Sequence, residues 1–191
     1  MFLKSQRILL RSLRRSDAKA VFTAIDSSRA ELDKFMIWSP VTRTVQDSID
    51  FIHRTFADRR QKRVIGFGIF DADTKAYIGG IGLHDLRKSI QSSEIGYWIR
   101  SDRAGQGLAT EASALVLRFA FEAWKAHRVI LRAATDNAGS IRVAEKLGFR
   151  LDGIQRHELR LSRGWLDYNC YSMLENEYYE HRDQICSFIS K

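Results

Sequence analysis

Proline, cysteine and long apolar runs are scarce in this sequence. Its 191 residues include one proline and two cysteines, and two thiols are too few for a disulfide framework or a zinc site. We expect Cys170 and Cys186 to be small buried side chains, reduced in a cytoplasmic protein, with a catalytic thiol as the alternative. No apolar run approaches the roughly 18–20 residues of a membrane span. The first residues also lack the apolar core and small-residue cleavage site of a signal peptide.

The composition is that of an ordinary folded protein. Hydrophobic residues make up 45% and charged residues 28% of the chain, which excludes a disordered or a fibrous protein. The length fits one domain at roughly 100–200 residues per domain. No internal repeat, low-complexity segment or linker divides the chain, so we predict a single domain over residues 1–191.

Positive charge is concentrated in the first third of the chain. Residues 1–63 hold 14 Lys or Arg against 7 Asp or Glu, a net charge of +7, whereas residues 64–191 hold 17 against 16. Nucleic acid, a phosphorylated cofactor or an acidic protein would each be a suitable partner for such a surface. A basic face that is only solvated explains the asymmetry equally well.

Hydrophobic periodicity predicts a mixed α/β sandwich around one central sheet. Alternating or short apolar runs predict strands at about 8–13, 65–69, 77–83, 93–100, 129–134, 150–156 and 159–174, the last interrupted at 163–164. Helical spacing predicts a helix capped by Ser16, a helix opened by a Thr44–Asp47 capping box, and helices at about 108–125 and 140–146, with a stop at Gly148.

Two loops carry the chemically informative residues. The segment from Arg103 to Thr110 contains Gly105 and Gly107 and opens a helix, where free backbone N–H groups and the positive end of the helix dipole favour an anion. It lacks the Lys-Ser/Thr of a P-loop and the spacing of a dinucleotide-binding fingerprint, and a tight turn into a helix is its simpler interpretation. Asn137 and Ser140 open the next predicted helix, where both are common capping residues.

The order of several motifs resembles the GNAT superfamily of acetyl-CoA-dependent N-acetyltransferases, and more narrowly its Rim branch, which acetylates the N-termini of ribosomal proteins. The resemblance covers nearly the whole chain, to about residue 174. It rests on Glu94-Ile95-Gly96-Tyr97-Trp98-Ile99, Gly105-Gln106-Gly107-Leu108-Ala109-Thr110-Glu111-Ala112, Ala120-Phe121, Asn137-x-x-Ser140, Glu145-Lys146-Leu147-Gly148-Phe149, Phe35-Met36-Ile37-Trp38-Ser39-Pro40 and Gly153 to Arg156.

This resemblance implies an α/β (α+β) fold of the GNAT type: a mixed, mostly antiparallel sheet flanked by helices, with one splayed strand pair for acetyl-CoA. The pantetheine arm of the cofactor is expected to pair with strand backbone in the gap, and its diphosphate to rest on the glycine loop. The residues implied in cofactor binding are Trp98, Ile99, Arg103, Gly105, Gln106, Gly107, Leu108, Ala109, Thr110, Asn137 and Lys146.

The resemblance also implies the catalytic residues. Glu94 is expected to act as general base, directly or through a water, because the attacking amine must be neutral. Many relatives carry a general-acid Tyr where this chain has Ala144, so Ser140 becomes the candidate that protonates the leaving thiolate. Trp38, His84, Arg156 and Asp167 are candidate acceptor contacts. A core position for Trp38 and an Arg156–Asp167 ion pair are the structural alternatives.

The sequence therefore favours acetylation of a protein N-terminus, with acetyl-CoA as the acetyl donor and coenzyme A as product. The acceptor is expected to be an acidic protein, because the basic first third borders the acceptor cleft in such a fold. A polyamine or aminoglycoside acetyltransferase and a non-catalytic acyl-CoA-binding module are the alternatives. No metal is expected, since no two of the five histidines have metal-ligand spacing. We predict a monomer or homodimer in the cytoplasm, without direct nucleic-acid or membrane binding.

Overall fold

The computed structural model describes residues 2–190, which build one eight-stranded sheet with helices on both faces. The strand order is β1-β2-β3-β4-β5-β6-β8-β7, and only the β5–β6 pair is parallel. The predicted mixed, mostly antiparallel α/β fold is confirmed. The strands are β1 (Phe2–Lys4), β2 (Ile8–Arg11), β3 (Ile65–Asp71), β4 (Tyr77–Arg87), β5 (Ser92–Ile99), β6 (Arg128–Ala134), β7 (Arg150–Leu161) and β8 (Gly164–Leu174). The helices are α1 (Ala18–Ser27), α2 (Arg29–Leu32), α3 (Val45–Arg60), α4 (Leu108–Arg118), α5 (Ala138–Lys146) and α6 (Glu175–Ser187).

Apolar side chains bury both faces of the sheet. On one face, α4 has almost all of its residues buried, because it lies across the sheet under further helices. On the other face, α1 and α3 pack Val21, Ile25 and Ile52 into a smaller cluster with Phe70 and Tyr77. The sheet thus separates two cores, one on each of its faces.

The long helix predicted over residues 108–125 is not one regular helix. α4 ends at Arg118, and a π-helical turn over Phe119–Ala123 follows it. The wider turn leaves Phe121 fully buried, with its ring stacked on that of Tyr178 at a centroid distance of 4.7 Å. Periodicity could not show this change, because the apolar pattern continues through both segments.

The helix starts show one prediction confirmed and one wrong. Thr44 caps α3 as predicted: its hydroxyl accepts from Asp47 N at 3.2 Å, and the Asp47 carboxylate accepts from Thr44 N at 2.8 Å. Ser16 does not cap a helix. It lies inside a short 3-10 turn before α1, and the carboxylate that holds this turn is Asp17, which accepts from Arg14 N at 2.6 Å.

The splayed strand pair is present between β5 and β6. The two strands pair only from Ser92 to Ile95, opposite Arg128 to Leu131. Beyond that point β5 continues along β4 to Ile99, and β6 continues along β8 to Ala134. The backbone edges that face each other past Ile95 therefore have no partner strand among residues 2–190, and a gap opens in the sheet.

The last two strands form a long hairpin at the sheet edge. β7 runs without a break to Leu161, and the predicted interruption at residues 163–164 is the hairpin turn itself. The boundary predicted near residue 157 is a bulge. The β7–β8 register shifts between Gln155 and Leu159, and His157 has a φ of +52° there. None of the helices within residues 2–190 has the length and apolar content of a membrane span.

Close packing of β4 on β5 requires a glycine at position 79. A Cβ atom there would lie 2.1 Å from the carbonyl oxygen of Trp98, which is backbone and cannot turn away. We expect Gly79→Ala to lower the free energy of unfolding by about 2–3 kcal/mol, as overpacking does. Gly139→Ala is the control, because its Cβ would meet only an ordinary 3.5 Å contact in α5. Urea unfolding of both variants measures the difference, and equal stability would contradict the tight approach.

Candidate functional site

A cleft of about 750 Å³ opens where β5 and β6 separate. One wall is formed by α1, α3 and the segment around Trp38, and the other by the ends of β4, β5 and β6. Since β5 side chains alternate between the sheet faces, Glu94 and Trp98 lie on the side of α1 and α3. Tyr97 packs with the core around α4.

Backbone groups of β5 face the gap at alternate residues. Arg100 N donates to Ile78 O of β4 at 2.8 Å, and the Trp98 carbonyl oxygen also lies against β4 at Gly79. Because neighbouring residues in a strand point their polar groups to opposite edges, those of Tyr97 and Ile99 face the gap. Of the two residues expected to pair with an entering chain, this placement favours Ile99; Trp98 contributes its side chain to the cleft.

The glycine loop presents a row of free donors. Gly105 and Gly107 have φ values of +76° and +78°, which only glycine adopts easily. From Gly105 to Thr110, the six successive backbone N–H groups have no acceptor within the part of the chain described, whereas Glu111 N already bonds Gly107 O at 3.0 Å. Six free N–H groups at the start of α4 have the geometry and the dipole that favour an anion.

Side chains predicted for this loop hold its shape. Arg103 donates to Asp71 at 2.9 Å and to the Gln106 side chain at 3.3 Å. Gln106 in turn donates to Asp102 O at 3.3 Å. The pKa of Asp71 is strongly lowered, because backbone N–H of Thr74 and the Arg103 guanidinium donate to its carboxylate. Arg103 and Gln106 are thus already engaged within the protein, and the loop offers an anion mainly its backbone.

An ion pair between the start of α4 and a residue far away in the sequence stabilises the other side of the loop. Glu111, in the first turn of α4, is 1% exposed and pairs with Arg7, whose Nε donates at 2.7 Å. Ser5 donates to the same carboxylate at 2.6 Å, and Arg7 also donates to Gln106 O at 3.1 Å. This contact joins the β1–β2 corner to the loop.

Glu94 lies at the floor of the cleft in an ion-paired group. Arg132 of β6 donates through Nε and Nη2 to Glu94 Oε2 at 3.0 and 2.8 Å, and through Nη1 to Glu158 Oε1 at 2.6 Å. Both contacts to Glu94 use one oxygen, so Oε1 makes no hydrogen bond within residues 2–190. That oxygen remains available to a water or an amine in the cleft.

His84 is the cross-strand partner of Glu94 and lies beside it. Its ring lies over Gly96, where an added Cβ would be 3.4 Å from both Cδ2 and Nε2. Burial lowers the pKa of His84, and the nearby Glu94 carboxylate opposes that shift. The imidazole is therefore neutral near pH 7 and can donate or accept a hydrogen bond.

Aromatic rings form the apolar part of the cleft. Trp38 lies 5.7 Å from Trp98, which lies 5.8 Å from Tyr77, measured between ring centroids. Trp38 is half-buried, and it both packs against the smaller core and lines the cleft. The core position is thus observed in part, and contact of Trp38 with an acceptor stays a prediction.

The start of α5 borders the gap from the β6 side. Asn137 caps the helix, with Oδ1 accepting from Ser140 N at 3.1 Å, which leaves its amide N–H groups without a partner among the described residues. Asn137 and Ser140 both line the cleft. Lys146 lies on the exposed last turn of α5, and its amino group forms no ion pair in the described chain.

Two predicted acceptor contacts lie outside the cleft lining. Asp167 accepts from His157 N at 2.8 Å and so stabilises the β7 bulge. Arg156 is exposed on β7, and no ion pair joins it to Asp167 in residues 2–190. Acceptor contact by these residues stays a prediction.

The turn of the β7–β8 hairpin is tied to two other segments by Arg163. Arg163 forms two hydrogen bonds to Asp136, at 2.5 and 3.1 Å, and donates to Lys34 O at 2.8 Å. Its guanidinium also lies 5.1 Å from the ring centre of Phe35. Arg163 thereby joins the β7–β8 turn to the loop before α5 and to the segment after α2.

Charges in the cleft lining nearly balance. The excess positive charge of residues 1–63 lies mostly outside the lining. The charged lining residues are Asp47, Asp50, Asp58 and Glu94 against Arg54, Arg59 and Arg132. No group of His, Cys, Asp or Glu suited to a metal ion occurs among the described residues.

Sequence reasoning missed Arg7, Arg132 and Arg163. Each acts through a partner at least 27 residues away, and nothing in the local pattern distinguishes these arginines from the others in a basic chain. Arg132 alternates with apolar residues on a predicted strand, which is the only signal that it points away from the core.

Comparison with known proteins identifies the architecture. The sequence profile of the acetyltransferase (GNAT) domain matches residues 7–150. An uncharacterized N-acetyltransferase of Bacillus subtilis, YoaA, is 31% identical over 173 residues, which cover 91% of this chain and 96% of that protein. The ribosomal-protein-serine acetyltransferase of Escherichia coli is 22% identical, over 89% of this chain and 94% of that protein.

Among solved structures, Mycobacterium smegmatis RimJ in complex with CoA-disulfide superposes with a TM-score of 0.84 at 25% identity. The match covers 93% of this chain and 87% of that one. The similarity therefore extends beyond the glycine loop to nearly the whole fold.

The Arg7–Glu111 pair predicts a stability effect. Arg7→Ala leaves a carboxylate buried without its cation, and we expect a loss of roughly 3 kcal/mol in unfolding free energy. Arg7→Ala combined with Glu111→Gln should recover most of that loss, because the uncompensated charge is gone while Ser5 keeps an acceptor. Chemical denaturation of the single and double variants measures this, and a double variant as unstable as the single one would contradict the charge argument.

Proposed function

The chain belongs to the GNAT family of acetyltransferases, and we propose that it transfers the acetyl group of acetyl-CoA to the N-terminal α-amine of a protein. Enzymes of this family use acetyl-CoA as donor. The observation that carries the proposal is the combination of six free N–H groups at α4 with a gap in the sheet that leads to Glu94. The first fits a diphosphate, and the second fits an extended chain that adds to a strand edge.

Cofactor binding is assigned to the loop and the gap. The N–H groups of Gly105, Gln106, Gly107, Leu108, Ala109 and Thr110 hold the diphosphate, while Ile99 backbone and the Asn137 amide meet the pantetheine arm. Acetyl-CoA supplies an acyl group activated as a thioester. Arg103 supports the loop, and Lys146 is free to approach outer phosphates.

The chemical step needs one proton removed from the amine and one given to sulfur. Glu94, through its free Oε1 or a water on it, takes the amine proton as the N–C bond forms and the C–S bond breaks. Ser140 donates a hydrogen bond to the leaving sulfur and passes on its proton, which water replaces. The backbone N–H facing the gap at Ile99 stabilises the developing oxyanion.

The acceptor lies on the side of the sheet that carries Trp38 and His84. An α-amine has a pKa of about 7.7–8.0, against about 10.4 for Lys, so less help is needed to make it neutral. A cleft of about 750 Å³ walled by aromatic rings fits the first residues of a chain, and the relative named as a ribosomal-protein-serine acetyltransferase supports a protein acceptor.

A small cationic amine is the second candidate. The observation that favours it is the set of four carboxylates in the lining, at positions 47, 50, 58 and 94. A polyamine or aminoglycoside would pair with these groups. Asp47 is engaged in the α3 cap and Glu94 is paired with Arg132, so few of these carboxylates are free to bind a cation, and the protein acceptor is preferred.

Cofactor affinity should depend on position 107. A carboxylate at Gly107 places negative charge beside the diphosphate, and we expect Gly107→Asp to weaken coenzyme A binding by about 30-fold or more, through charge at a helix N-terminus. Gly107→Ala carries the same backbone strain without the charge and should change affinity only slightly. Calorimetric titration with coenzyme A separates the two, and unchanged affinity in Gly107→Asp would exclude the loop as the diphosphate site.

Glu94→Gln should lower kcat by about 100-fold with little change in KM, because proton transfer is lost while the shape remains. The loss should shrink as pH rises toward the pKa of the acceptor amine, since more of the amine is already neutral. Glu158→Gln is the matched control, because Glu158 shares the Arg132 partner but does not line the cleft. A larger loss in Glu158→Gln would move the base to that residue.

The salt dependence of kcat/KM distinguishes an acidic protein acceptor from a cationic small amine. Exposed basic residues outside the lining should steer an acidic Ser- or Ala-initiated peptide, so its kcat/KM should fall as salt rises and the Debye length shortens from about 10 Å at 0.1 M to about 3 Å at 1 M. Its kcat should stay constant. Coenzyme A release with this peptide and with spermidine, across a salt series, measures the effect, and faster acetylation of spermidine would favour the small-amine function.

A further inference from the structure

Tyr97 carries a polar group that the fold does not use. Its ring packs with the core around α4, and its hydroxyl oxygen is buried without a hydrogen bond of ordinary geometry in residues 2–190. A buried hydroxyl without a partner lowers stability relative to phenylalanine at the same place. Such groups in a native protein call for a functional explanation.

The neighbour of this hydroxyl is Ser140. Burial raises the pKa of Tyr97 to about 12, and the adjacent Ser140 hydroxyl opposes that rise. Tyr97 therefore keeps its proton near neutral pH and can only donate or accept a hydrogen bond there. The Ser140 backbone N–H is fixed by the Asn137 cap at 3.1 Å, so the hydroxyl is held beside that of Tyr97.

Both hydroxyls lie where the sheet opens. Tyr97 is beyond Ile95, the last β5 residue paired with β6, and Ser140 is in the first turn of α5 just after β6. Both residues line the cleft. The next residue on the same face of α5, Ala144, has no polar group and is fully buried, so that position cannot direct the Ser140 hydroxyl.

We propose that Tyr97 is a positioning residue that donates a hydrogen bond to Ser140 Oγ and thereby directs the Ser140 proton toward the leaving sulfur. A serine hydroxyl has one proton and two acceptor lone pairs. When Tyr97 occupies a lone pair, the Ser140 proton is turned away from Tyr97 and into the gap. This inference rests on the proposed role of Ser140 and adds to it the group that orients that serine.

The test is a double-mutant cycle with Tyr97→Phe, Ser140→Ala and the combination, assayed with acetyl-CoA and the acidic Ser-initiated peptide. Tyr97→Phe should lower kcat about five-fold, leave KM for acetyl-CoA within about two-fold, and have no further effect in the Ser140→Ala background, since contacting residues couple. Its melting temperature should stay close to that of the wild type, because the hydroxyl makes no hydrogen bond of ordinary geometry in the free protein and the proposed bond is needed only during acetyl transfer.

Tyr178→Phe is the matched control. Its hydroxyl is also in a core, but it donates to Glu122 at 3.0 Å, so its removal should lower the melting temperature and leave kcat unchanged. The two tyrosines thus give opposite patterns if the proposal holds.

The outcomes separate the two assignments. If Tyr97→Phe keeps the wild-type kcat while Ser140→Ala lowers it, only the role of Tyr97 is overturned. The same holds if Tyr97→Phe lowers kcat equally in the wild-type and the Ser140→Ala backgrounds. A lowered melting temperature in Tyr97→Phe would make the hydroxyl structural and also overturn it. Wild-type kcat in Ser140→Ala overturns both residues, and no acetyl transfer by the wild-type protein to any amine overturns the proposed function itself.

Discussion

The separation of β5 from β6 after Ile95 is the constraint on which the rest of the structure depends. Backbone hydrogen bonds that an ordinary sheet would close are left open there, at a cost that the fold must offset elsewhere. It does so by keeping β5 on β4 and β6 on β8 to their ends, and by burying apolar cores on both faces. The opening leaves a strand edge of β5 unpaired past Ile95 and is accessible from both faces of the sheet.

Charge is arranged differently on the two sides of this opening. At the glycine loop, donors are backbone N–H groups, and the nearby arginines Arg7 and Arg103 are occupied by Glu111 and Asp71. On the cleft side that carries Glu94, Arg132 pairs with the carboxylates of Glu94 and Glu158, and Glu94 Oε1 makes no hydrogen bond within residues 2–190. In both arrangements arginine side chains hold carboxylates in place, and the groups left without a partner in the described chain are the loop N–H groups and Glu94 Oε1.

Sequence reasoning succeeded where the deciding contacts are local. The Thr44–Asp47 box, the stop at Gly148 and the loop from Gly105 to Thr110 each depend on residues within a few positions of one another. It failed at Ser16, where the neighbouring Asp17 satisfies the turn, and at the end of α4, where packing of Phe121 on Tyr178 selects a π turn. The motif order was specific enough to give the family and the splayed sheet.

The sequence by itself determined most strands, the fold class and the starts of α4 and α5, because periodicity and capping are properties of short segments. It predicted neither β1 nor α6. Only the tertiary structure decided which charged groups are engaged and which are free. Glu94 and Arg132 are 38 residues apart and Arg7 and Glu111 are 104 apart. Strand register brings the first pair together and packing of α4 against the β1–β2 corner brings the second, and no local pattern encodes either. Tyr97 and Ser140 likewise become neighbours only in the folded chain, where β5 and β6 diverge and α5 starts beside the gap.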